Sequence, residues 1–269
     1  MKVFGKIYMG IIMLFLYAPV IVMIVFSLNS GNSTYVFKGF SLKWYAELFT
    51  NGEKFVSPLL NTLIIAVLSS VIATVLGTIA AYGIYRLRRK ALKSAYMSVT
   101  NIPMMNPDIV TGVSLMLLFV FIGKLFSLVD SVGFFTILAA HITFNLPYVI
   151  LSVLPKFNQM DKFLPEAALD LGCTPSKTFM KVILPAASSG IITGFIMAFT
   201  LSLDDFVISY FTSGHFQTLP ILIYDMVRKP MKPTVYALYT IILLVVFVLL
   251  IVYNVIQSRS DSNERKEKI

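Results

Sequence analysis

The chain has 269 residues, 57% of them hydrophobic and only 13% charged, with a formal net charge of +9 and a mean hydropathy of +0.83. A soluble domain carries about 25% charged residues and about 45–50% apolar ones. Composition therefore excludes an ordinary soluble enzyme and places the chain in the membrane class. One cysteine, Cys173, excludes an intrachain disulfide framework and reads as a plain structural thiol.

Six stretches are apolar over the roughly 20 residues that a hydrocarbon core of about 30 Å requires. In chain order they are about 7–28, 59–85, 95–122, 134–154, 186–208 and 235–256. Helices are the expected form, because lipid offers no partner to free backbone groups. The first run is longer than a signal h-region and is followed by no A-x-A site, so it is expected to remain as a span. In the third, Pro103 and Pro107 predict a broken or kinked start. The expected fold class is an all-α integral membrane protein with six transmembrane helices.

Lys and Arg set the orientation, because they accumulate on the cytoplasmic side. With the N-terminus inside, fifteen of the 22 fall in inside segments and seven outside. The cluster Arg86, Arg88, Arg89, Lys90 and Lys93 in one short loop weighs most. Both termini are then cytoplasmic. The outside connections are 29–58, which holds the only tryptophan (Trp44), then 123–133 and 209–234. The main inside loop is 156–185, and 257–269 is a charged cytoplasmic tail.

That inside loop is the most informative segment. Phe163, Ala167, Ala168 and Leu171 recur at helical spacing, Pro165 suits a first turn and Glu166 suits the positive end of a helix. Gly172 predicts a left-handed C-cap. Thr174 then caps a second helix with Pro175 at its first position, followed by Phe179, Val182 and Ile183. The loop reads as a short helix, a sharp glycine turn and a second helix running into the membrane. Two small alanines beside Glu166 leave a knob able to enter a groove on a partner.

Glu166-Ala167-Ala168, then Gly172, then Val182-Ile183-Leu184-Pro185 resembles the EAA loop of binding-protein-dependent ABC importer permeases, with Val182 where Ile is usual. The resemblance implies a type I importer (MetI-like) permease fold. It also implies an assembly of two permeases, here with a non-identical second subunit, and an ATPase dimer docked at Glu166, Ala167, Ala168, Gly172, Leu184 and Pro185. Further stretches resemble spermidine/putrescine permeases of the PotC type: Asn106–Val110, His141–Phe144, Phe199–Val207 and Leu219–Tyr224. This implies import of polyamines delivered by an extracytoplasmic binding protein, through the bacterial inner membrane.

Ionisable residues inside spans are costly and tend to face a cavity or a partner. Asp108, Asp204, Asp205 and His141 are those residues, and Tyr148, Phe206 and Tyr210 are aromatic companions suited to weak contact with a polycation. Asp204 and Asp205 point about 100° apart on a helix, so only one of them can face a given line. Gly190 and Gly194 make a small-xxx-small pair, expected at a permease–permease interface. The chain has no G-x-x-x-x-G-K-[ST], so it is expected to bind no ATP itself, with ATP and Mg held by the partner ATPase. It has no Cys/His cluster for a metal and no G-x-S-x-G elbow, and nucleic acid is not an expected partner. The reading is a permease subunit working by alternating access. The alternatives are an importer permease for another small solute, such as ferric iron or an amino-acid derivative, and a stand-alone secondary transporter.

Overall fold

The structure is a computed structural model, and it describes residues 2–32, 36–50, 53–127, 132–161, 163–228, 234–241, 243–244 and 247. The second half of the sixth expected span and the tail 257–269 lie outside the described residues. Among those described, the chain is helical, with one isolated antiparallel bridge between Asn29 and Phe40. It divides into two compact units, 1–55 with 223–269, and 56–222.

The first unit contains α1 (Lys2–Ser27) and α2 (Lys43–Thr50). Nearly every apolar side chain of α1 is exposed, as a helix bathed in lipid requires. The connection after α1 is built rather than loose. Asn29 accepts backbone N–H groups of Gly31 and Lys38 on Oδ1 and donates to the carbonyl of Val36. Trp44 donates its indole N–H to the Asn29 carbonyl. Its ring is buried with Leu48, Ala237 and Leu238, so the only tryptophan pins this outer connection to the helical segment 234–241.

The second unit carries the second to fifth expected spans. It holds α3 (Glu53–Arg86), α4 (Lys90–Met105), α5 (Asp108–Leu125) and α6 (Phe134–Gln159). The loop elements are α7 (Leu164–Asp170), α8 (Pro175–Thr178), a π-helical turn (Phe179–Ile183) and α9 (Leu184–Ala186). Then follow α10 (Ser188–Asp204), α11 (Val207–Thr212) and α12 (Leu219–Val227). Among the described residues, helices long and apolar enough to cross a membrane are the one starting at Gly5, then α3, α5 and α6, and a fifth if the bent pair Pro175–Ala186 with Ser188–Asp204 counts as one.

Two expected spans are interrupted. The third is divided at Asn106–Pro107, where Asn106 is extended (ψ 140°) and α5 restarts at Asp108. Proline lacks an N–H and pushes its predecessor out of the helical region, so the break falls where the sequence places Pro107. The fifth ends at Asp204 instead of running on to Ile208, and it enters through a bend of 71° at Ala187.

The core of this unit is the seam of α6 with α3 and α10. Val149, Val153 and Phe157 are fully buried there with Ala73, Ala81 and Ala198. Glycine permits the close approach. A Cβ on Gly77 would lie 2.6 Å from a Val149 methyl. A Cβ on Gly190 would lie 2.8 Å from the Ser152 carbonyl oxygen and 3.2 Å from Val153 Cα, which are backbone atoms that cannot swing aside. Gly194 sits 3.3 Å from Val149 Cα by the same construction. The small face at Gly190 and Gly194 is thus packed against α6 of the same chain.

Candidate functional site

Two groups of the expected residues form organised sites. The first is the loop 156–185. Pro165 stands in the first turn of α7 with Glu166 exposed beside it, where the unpaired N–H groups favour a carboxylate. At the other end, Gly172 has φ +84°, its N–H donates to Leu169 O at 2.9 Å, and the Cys173 N–H donates to Ala168 O at 3.1 Å. These paired bonds are a Schellman closure, which satisfies helix-end carbonyls only if C′ turns left-handed, and glycine does so without strain. Thr174 Oγ1 accepts the Lys177 N–H, and Pro175 opens α8.

The surface of this loop is apolar at its tips. Phe163 is 73% exposed, Leu171 85% and Met180 63%, while Ala167 is open and Ala168 buried. Leu184 is half-buried and Pro185 exposed where the chain turns toward α10. Deeper in, the π-helical turn sets Phe179 against Tyr82 of α3, with ring centroids 4.8 Å apart. Phe157 of α6 meets Tyr82 at 5.6 Å and Tyr85 at 5.9 Å. No motif points to Tyr82 or Tyr85. The signal available was their placement one turn before the Arg86 cluster, with tyrosine tips toward the expected inner face.

The second group is a polar knot at the far end of α10. His141 Nδ1 lies 2.6 Å from Ser202 Oγ, and Nε2 lies 2.9 Å from Ser209 Oγ and 3.4 Å from Asp205 Oδ2. Ser202 is in turn 3.0 Å from Ser69 Oγ on α3. The Asp205 carboxylate also accepts the N–H of Ser209 at 2.7 Å and of Ile208 at 3.3 Å. A proton on Nε2 is the arrangement that the carboxylate favours, which leaves Nδ1 to accept from Ser202. Asp205 thus leaves the α10 helix to cap α11, and His141 holds it there.

His141 is buried, and Asp205 is committed to it and to backbone. In this arrangement both groups are engaged with each other, with two serines and with backbone. Asp204 is exposed at the end of α10, Asp108 is exposed in the first turn of α5, and Tyr210 is exposed on α11. Tyr148 is half-buried, as is Phe206, whose ring lies 5.5 Å from that of Tyr210. The two adjacent aspartates part because α10 ends between them: Asp205, in extended backbone, turns in to His141 and the α11 N–H groups, while Asp204 stays exposed. Ser69 and Ser209 carried no motif and Ser202 stood only within the Phe199–Val207 stretch, and their part in the knot depends on three separate helices meeting. Among the described residues, no three His, Cys, Asp or Glu side chains cluster as a metal would need.

Residues 73–266 match the family described as binding-protein-dependent transport system inner membrane component. The putrescine transport system permease protein PotI of Escherichia coli strain K12 is 39% identical over 230 residues, 85% of this chain and 82% of that protein. The spermidine/putrescine transport system permease protein PotC of Haemophilus influenzae is 35% identical over 255 residues, 94% of this chain and 96% of that one. Among solved structures, a bacterial ABC transporter involved in import of the acidic polysaccharide alginate has a chain that superposes with TM-score 0.69 at 16% identity, covering 96% of this chain and 95% of that one. The MetNI methionine ABC transporter matches with TM-score 0.59 at 20% identity, covering 74% and 91%. At such identities these two show the fold, which is that of ABC importer permeases.

Proposed function

Because the chain belongs to the family of binding-protein-dependent transport system inner membrane components, we propose that it is the permease subunit of an ATP-driven importer whose cargo is a polyamine, spermidine or putrescine. The observation that carries the cargo is the 35–39% identity, over most of the chain, to permeases of putrescine and spermidine/putrescine systems. The chain forms one half of the translocation path, beside a second, non-identical permease. An ATPase dimer binds ATP and Mg and docks at the cytoplasmic loop through Glu166, Ala167, Ala168 and Gly172, with Leu184 and Pro185 joining that loop to the spans. A loaded polyamine-binding protein delivers cargo on the opposite side, and both termini are cytoplasmic.

Each cycle is one of alternating access. Closure of the ATPase moves α7, the spans open toward the receptor, and the return releases the cation inward. A flexible polycation needs contacts strong enough for entry and weak enough for exit. Asp108 and Asp204 supply the charge for this, with Tyr148, Phe206 and Tyr210 as rings over which an ammonium can pass. His141 and Asp205 shape the path by holding the α10–α11 break.

Proteoliposomes holding the whole complex are expected to take up labelled spermidine or putrescine only with ATP and the loaded receptor. Uptake of another solute in place of both polyamines would overturn the cargo assignment. Uptake without any ATPase would overturn the importer reading altogether.

A further inference from the structure

The loop 156–185 has two routes into the helical core, and they differ in stiffness. The covalent route runs along the chain into α10. It passes through the π-helical turn Phe179–Ile183 and then through Ala187, which keeps its bonds to Ile183 O (3.2 Å) and from the Ile191 N–H (3.1 Å) while the chain bends by 71°. A π-turn followed by a bend breaks the straight axis along which a push would run into α10.

The second route is lateral and close-packed. The π-turn projects Phe179 and Ile183 inward while Met180 and Lys181 stay exposed. Ile183 and Ala187 are buried in one cluster with Ala81 and Ile84 of α3 and with Val153, Leu154 and Phe157 of α6. Phe179 rests on the Tyr82 ring at 4.8 Å, Tyr82 on Phe157 at 5.6 Å, and the Arg86 guanidinium lies 5.8 Å from the Tyr82 centroid on its other approach. Rings have two χ angles and interiors packed at crystal density transmit displacement. Tyr82, on α3, is therefore in ring contact with both the loop, through Phe179, and α6, through Phe157.

We infer that Tyr82, clasped between Phe179 and Phe157, is the positioning residue through which movement of the loop is passed sideways to α3 and α6, instead of endwise into α10. It sets the tightness of coupling between ATP hydrolysis and cargo movement. This rests on the proposed docking of the loop on an ATPase.

The measurement is the number of spermidine molecules imported per ATP hydrolysed by the full complex in proteoliposomes, beside its thermal unfolding midpoint. Tyr82→Phe keeps the ring and is expected to keep the wild-type ratio. Tyr82→Leu and Phe179→Leu keep apolar volume without a ring, so the complex assembles, and each is expected to lower the ratio by between about twofold and thirtyfold while ATP hydrolysis continues. The double variant is expected to lose no more than the worse single one, because both act at one contact. A wild-type ratio in Tyr82→Leu, whether or not the midpoint falls, would overturn the inference and leave Tyr82 a packing residue. The docking reading is judged separately: if Glu166→Arg leaves ATPase association and ratio untouched, that reading fails whatever Tyr82 does.

Discussion

His141 uses both ring nitrogens at once. Removing the ring takes one buried partner each from the Ser202 hydroxyl, which keeps Ser69, from the Ser209 hydroxyl and from the Asp205 carboxylate. Interhelical hydrogen bonds within membranes are each worth about 0.6 to 1.7 kcal/mol, and an unsatisfied buried group costs about 1–3 kcal/mol. His141→Phe and Asp205→Asn are therefore expected to destabilise the folded permease by about 1–3 kcal/mol, seen as a lower unfolding midpoint of the purified complex. Asp204→Asn is expected to leave the midpoint alone and to weaken polyamine uptake. Equal midpoint losses in the two aspartate variants would refute this division of roles. Gly190 behaves differently again, because its obstacle is backbone. Gly190→Ala forces α10 away from Ser152 and Val153 and is expected to cost about 1–3 kcal/mol. Gly83→Ala meets nothing within 4 Å and serves as the control, with an unchanged midpoint.

At the level of elements, the loop shows how much of a structure is local. Proline in the first turn, glycine at C′ and threonine at the next N-cap each act within four residues, so α7, the turn and α8 follow from the sequence alone. A side chain at the Gly172 position pays for its φ of +84° with about 1–2 kcal/mol unless it is asparagine, which tolerates the left-handed region. Since open space surrounds a Cβ there, conformation alone decides the outcome. Recovery of the ATPase with the permease on purification is expected to fall in the order Gly172, Gly172→Asn, Gly172→Ala, Gly172→Val. Equal recovery across the series would mean that the turn is not needed for docking. The interruption at Pro107 was legible for the same local reason. The end of α10 at Asp204 was not, because Asp205 leaves the helix only where His141 is present to receive it.

For the whole molecule, apolar content and the family match define a membrane permease subunit of a binding-protein-dependent transport system. The expected dependence of uptake on ATP and receptor together belongs to this scale, since the sequence carries no nucleotide-binding motif of its own and the proposed docking of an ATPase on the α7 loop would supply one.

Membrane class, helical content, the α7–turn–α8 loop and the break at Pro107 were determined by the sequence itself, because hydropathy and turn chemistry act over a few residues. The destination of Gly190 and Gly194, the withdrawal of His141 and Asp205 into a serine-lined knot, and the clasp of Tyr82 between Phe179 and Phe157 were decided by tertiary structure alone. Each depends on which helix faces which, and pairs such as Ser69 with Ser202 or Tyr82 with Phe179 lie far apart along the chain, where no local pattern records their meeting.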